Sequence, residues 1–77
     1  MESNYDYYKW KITEGLKNNM PELSKLYLLG ELNGAAQSKS ITTKEFIELR
    51  DFMDCKAIYK KYEKEIEFGV YGSINKI

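Results

Sequence analysis

The sequence predicts an all-α fold: a small bundle of three helices, or four if the last is broken near Asp54-Cys55, with an irregular or short extended tail over residues 69–77. Three observations predict it. Apolar side chains recur at spacings of three and four through successive stretches at about 4–18, 21–34 and 43–68. The run Ile41-Thr42-Thr43-Lys44-Glu45-Phe46 is a complete helix start. The alternation that marks a strand occurs only near the C-terminus, where a lone strand has no partner in the chain.

The first helix opens at Ser3, a good N-cap, with Asp6 placing a negative charge in the first turn. Tyr5, Tyr8, Ile12 and Leu16 form one stripe, and Tyr7 and Trp10 lie off it. Gly15 weakens the helix locally and Asn18-Asn19 ends it. Met20-Pro21-Glu22 opens the second helix, with proline where its missing N–H costs nothing. Its stripe is Leu23, Leu26, Leu29 and Leu32, broadened by Tyr27 and Leu28, which makes this the central helix. Asn33-Gly34 is the expected stop, although Ala35-Ala36 can prolong the helix by a turn, and 37–40 is a polar loop.

The third helix has the clearest start. Thr42 accepts a bond from a first-turn N–H, Glu45 reaches back to the Thr42 N–H, and Ile41 and Phe46 occupy the positions of a hydrophobic staple. Phe46, Leu49, Phe52 and Met53 are expected on its buried face with Ile47 beside them, and Glu45, Glu48 and Arg50 outward. With neither Gly nor Pro at Asp54-Cys55, continuation or a mild kink is expected there. Ile58, Tyr59, Tyr62 and Ile66 carry the period to about Phe68.

A chain of 77 residues makes one domain and buries only about 60% of its unfolded surface. Its 43% hydrophobic and 31% charged residues suit a narrow core under a charged exterior, or a core completed by a partner. Twelve basic and twelve acidic residues cancel, so no global field attracts nucleic acid, and strong DNA mimicry is disfavoured as well. Cys55 is the only cysteine, which rules out an internal disulfide framework. The polar, acidic N-terminus is not a signal peptide, and no apolar run has the length of a membrane span. A cytoplasmic location and no membrane contact are expected.

Catalytic chemistry finds few candidates. The absence of histidine removes the commonest general base and metal ligand. Glu45, Glu48, Asp51 and Asp54 share a helical region but read as a solvated stripe rather than a cation site. Cys55 beside Lys56 reads as a buried, inert thiol between Phe52 and Ile58. No glycine-rich phosphate loop is present. No enzyme activity, cofactor or metal is therefore expected. Lys56, Lys60, Lys61 and Lys64 offer phosphate contacts, but Glu63, Glu65 and Glu67 lie among them. The loop of about eight residues between helices two and three exceeds the turn of a helix-turn-helix.

What remains distinctive is aromatic density at both ends: Tyr5, Tyr7, Tyr8 and Trp10, then Tyr59, Tyr62, Phe68 and Tyr71. Such residues close small cores, and they also dominate protein–protein hot spots. The expected function is a non-catalytic module that docks on a larger protein and regulates or inhibits it. The alternatives are a homo-oligomeric helical adaptor and a small DNA-binding regulator. Abundant Lys, Glu, Ile, Asn and Tyr with a single Arg is the usage of AT-rich genomes, including phages and mobile elements. An inhibitor of a host defence enzyme fits that setting.

Overall fold

The computed structural model describes residues 3–69, and the expected tail beyond Gly69 lies outside them. Among the described residues five helices follow in order: α1 (Asn4–Lys17), α2 (Glu22–Gln37), α3 (Thr43–Phe52), α4 (Lys56–Lys61) and α5 (Glu63–Glu67). No strand occurs among the described residues. The all-α class is as the sequence predicts; the division into helices differs.

Both predicted caps form. The Ser3 hydroxyl accepts from the Asp6 N–H at 3.1 Å. The Glu45 N–H donates to Thr42 Oγ1 at 3.0 Å while the Thr42 N–H donates to Glu45 Oε1 at 2.9 Å, completing the capping box. The ends of α1, α2 and α3 share a device that the sequence advertises only at Asn18-Asn19. Asn19, Lys39 and Asp54 each take positive φ, at 56°, 66° and 57°. At each, the following N–H reaches back five residues: Met20 to Gly15 at 2.9 Å, Ser40 to Ala35 at 2.8 Å, and Cys55 to Arg50 at 3.1 Å. The left-handed residue itself bonds three residues back, to Leu16, Ala36 and Asp51 respectively. These are Schellman closures built on non-glycine residues.

This device accounts for two departures from expectation. The second helix does not stop at Asn33-Gly34 but runs to Gln37, because Ala35 is buried and Lys39 supplies the reversal. Asn33 instead donates from its side chain to the Ile66 carbonyl at 3.3 Å, tying α2 to α5. The expected long third helix is broken rather than continuous or mildly kinked. Met53 and Cys55 are both fully buried, yet residues two apart on one helix point about 200° from each other. Reversing the chain at Asp54 lets both face inward. A second break at Tyr62 separates α4 from α5.

The core is one cluster, contributed by Ile12, Leu26, Leu28, Leu29, Leu32, Ala35, Ile41, Phe46, Leu49, Met53, Cys55 and Ile66. α2 is central and packs against α3, α4 and α5, whereas α1 packs chiefly on α3. Asn4 fixes the start of α1 by donating to the Ser40 carbonyl at 3.1 Å, and the Tyr5 hydroxyl lies 3.3 Å from a Glu48 carboxylate oxygen. Leu16, Leu23, Ile47 and Phe52, expected on or beside buried stripes, are instead exposed. Phe52 lies under the Lys9 ammonium, 5.4 Å from its ring centre. Arg50, expected outward, lies over the Tyr59 ring at 5.4 Å and links α3 to α4.

Candidate functional site

Helical geometry divides the N-terminal aromatics between two faces. Tyr5 and Tyr8 are half-buried and pack against the core beside Ile12. Tyr7 and Trp10 sit on the opposite side of α1, at 44% and 58% exposure. Their ring centres are 6.3 Å apart, and Tyr7 meets Tyr8 edge-on at 5.3 Å, so the outward pair is braced from within.

The ridge adjoins a groove. The Lys11 ammonium lies 5.9 Å from the Tyr7 ring and 3.1 Å from the Glu31 carboxylate, spanning from α1 to α2. Beside that ion pair runs a recess of about 300 Å³ lined by Lys11, Gly15, Met20, Ser24, Tyr27, Leu28 and Glu31. Gly15 admits the Met20 thioether so closely that a Cβ there would stand 3.0 Å from its sulfur and terminal carbon. On the far bank, Leu23 at 58% exposure and Tyr27 follow one another by a helical turn. The exposed Tyr7–Trp10 pair and the groove thus meet at Lys11, which lies over the Tyr7 ring and lines the groove as far as Tyr27.

The C-terminal aromatics are arranged differently. Tyr59 packs edge-on against Phe46 at 5.5 Å, and its hydroxyl lies 3.3 Å from Glu67. Tyr62 also packs against the core. Phe68 projects at 84% exposure beside an opening of about 600 Å³ bordered by Asn33, Gln37, Lys64 and Glu67. Tyr71 lies outside the described residues. Of the eight aromatic candidates, Tyr7 and Trp10 come together as an outward pair, Phe68 stands apart, and Tyr5, Tyr8, Tyr59 and Tyr62 serve packing.

Electrostatics follow burial. Desolvation, reinforced by Glu31, raises the Tyr8 hydroxyl above its ordinary pKa, and desolvation with Glu67 and Glu63 does the same for Tyr59. Desolvation also raises the Cys55 thiol, so it is held as the protonated, unreactive form. For Lys11, burial alone would lower the ammonium, but hydrogen bonding and attraction from Glu31 outweigh it and the net shift is upward. Lys60, Lys61 and Lys64 share a shallow surface with Glu63 and Glu65, giving mixed charge rather than a basic patch.

Among the described residues no group of Cys, Asp and Glu is placed to hold a metal ion. No helix among them is long and apolar enough to cross a membrane. The α2 bank and the groove were missed by sequence reasoning, which put Leu23 in the buried stripe; the signal was the Leu23–Tyr27 pair, set apart from Leu26, Leu29 and Leu32. No protein-family profile matches the chain, and neither does any curated protein or solved structure.

Proposed function

We propose that the protein is a non-catalytic binding module that docks on a larger protein through the α1–α2 face and regulates or inhibits it. One observation carries the reading: Tyr7 and Trp10 are solvent-facing, and Lys11 over the Tyr7 ring lines a mainly apolar groove beside them, while their neighbours Tyr5 and Tyr8 are used in packing. Exposed tryptophan and tyrosine beside a recess are the residues that carry most binding energy in protein interfaces. The face is close to neutral, with Lys11 paired to Glu31 and Lys17 to Glu14, which suits apolar recognition better than phosphate binding. AT-rich residue usage supports a phage or mobile-element setting, and within it inhibition of a host defence enzyme.

The test is affinity purification from lysate with three baits: the native chain, Trp10→Ala and Phe68→Ala. A protein retained at fixed stoichiometry by the native and Phe68→Ala baits and lost by Trp10→Ala supports the reading. Equal retention by all three baits, each shown to be folded, removes it.

A further inference from the structure

We infer that Asn33-Gly34 is a latent deamidation site, held closed by α2 and α5, and that its conversion undocks α5 irreversibly. Asn33-Gly34 is the only Asn-Gly pair in the sequence; Asn4, Asn18, Asn19 and Asn75 all precede residues that carry a side chain. Glycine matters because its own backbone nitrogen is the nucleophile. It neither shields that nitrogen nor restricts the rotation that brings it forward. The Gly34 nitrogen attacks the side-chain carbonyl carbon of Asn33, and the bond from that carbon to Nδ2 breaks. The amide group leaves as ammonia, taking the proton of the Gly34 N–H. The cyclic imide that remains takes up water and opens at either carbonyl, giving aspartate or isoaspartate. Water is the only co-reactant. The site shares no residue with the α1–α2 groove, so the two readings stand or fall separately.

Two guards keep the reacting atoms apart in the fold. Gly34 begins the last turn of α2, where helical geometry commits its N–H to the carbonyl four residues back and away from the Asn33 side chain. That side chain is drawn the other way, its amide donating to the Ile66 carbonyl of α5 at 3.3 Å. Both guards lie where a fold opens first, at helix ends. α5 has five residues and no side-chain cap. α2 carries no basic residue in its last turn and closes on the strained reversal at Lys39. Asn33 also borders the opening of about 600 Å³ beside Phe68, so water enters and ammonia leaves once the guards part. The product cannot restore them. A carboxylate has no proton to donate to the Ile66 carbonyl and sets acceptor against acceptor. Isoaspartate in addition lengthens the main chain of α2 beside buried Ala35, which breaks the helical repeat. Conversion thus acts as a clock whose rate is set by local opening.

The test follows the purified full chain in mildly alkaline buffer, folded and in urea, by peptide mass spectrometry and an isoaspartate-specific methyltransferase. In urea Asn33 should convert ahead of Asn4, Asn18 and Asn19. In the folded chain it should convert too, at least about tenfold more slowly, because only the open fraction reacts. Gly34→Ala, for which there is open space around the glycine, should fold and should slow conversion in urea at least about tenfold. Converted chain, separated from the unconverted, should lose helical circular dichroism and unfold at lower urea, and Asn33→Asp should do the same. Equal rates folded and in urea overturn the inference, since the fold then guards nothing. So does a folded chain that stays unconverted over many half-times of the urea reaction, or a Gly34→Ala chain that converts as fast as the native one. Converted chain that keeps the native urea midpoint overturns the irreversible undocking. Should Asn33→Asp fail to fold, the rates measured on the native chain and the midpoint of its converted form decide.

Discussion

Gly34→Ala should stabilise the protein, and the sign of the effect decides where α2 ends. In the structure Gly34 is helix interior, it does not take positive φ, and a Cβ built on it meets nothing within 4 Å. Ala is favoured over Gly at such a site by about 1 kcal/mol, since it restricts the unfolded chain and adds no clash. The reversal lies five residues on, at Lys39 with φ 66°. An L-residue there carries a strain of about 1–2 kcal/mol, so Lys39→Gly should also stabilise, by about 0.5–1 kcal/mol once the added freedom of the unfolded chain is set against it. The two positions are independent, and the double variant should gain about 1.5–2 kcal/mol. For a domain of this size each kcal/mol moves Tm by about 4–8 °C. Thermal and urea unfolding followed by circular dichroism read the effect. If Gly34→Ala lowers Tm, the helix ends at Asn33-Gly34 after all and the closure at Lys39 is refuted.

Three further outcomes follow from named contacts. Thr42→Ala should cost about 1 kcal/mol and Thr42→Ser only a few tenths, since serine keeps the acceptor for the Glu45 N–H; equal losses in urea unfolding would place the effect elsewhere. Ile66 is fully buried, so Ile66→Ala should cost about 2–5 kcal/mol, and a loss under 1 kcal/mol in the same assay would mean that α5 does not dock on α2. The Cys55, Tyr8, Tyr59 and Lys11 groups all have raised pKa values in the folded chain, so each holds its proton more tightly there than in the unfolded chain. Their contribution is complete below the unfolded values and is lost as pH rises through the folded ones. Stability should therefore fall above about pH 8.5, where free thiols begin to ionise; a urea midpoint that holds or rises from there to about pH 10.5, past the ordinary tyrosine value, contradicts this.

The fold class was legible because periodicity and capping act locally. Ser3, Thr42 and Glu45 announce helix starts through side chains that bond within their own first turn. Helix ends were unevenly legible: Asn18-Asn19 marked the end of α1, but α2 and α3 close on positive-φ Lys39 and Asp54 rather than on glycine, and Gly34 attracted the stop that belongs to Lys39. The break at Asp54 is a tertiary outcome: only the packing of both Met53 and Cys55 requires it. In the candidate site, the spacing of Tyr7 and Trp10 away from the Tyr5–Tyr8–Ile12 stripe already put them outside. The groove was not legible, since it arises where α1 leans on α3 and leaves Gly15 facing Met20 and Leu28 across to α2.

The measurement that tests the docking face most directly is titration calorimetry of the captured protein against the native chain, Trp10→Ala and Phe68→Ala. Trp10 is largely solvent-exposed on a helix, so replacing it with Ala should change unfolding stability by less than about 0.5 kcal/mol. Its loss from a hot spot should weaken binding by at least about 2 kcal/mol, roughly thirtyfold, while Phe68→Ala stays within about threefold of the native chain. Binding undiminished by Trp10→Ala but abolished by Phe68→Ala would move the site to the far end of the molecule and contradict the account.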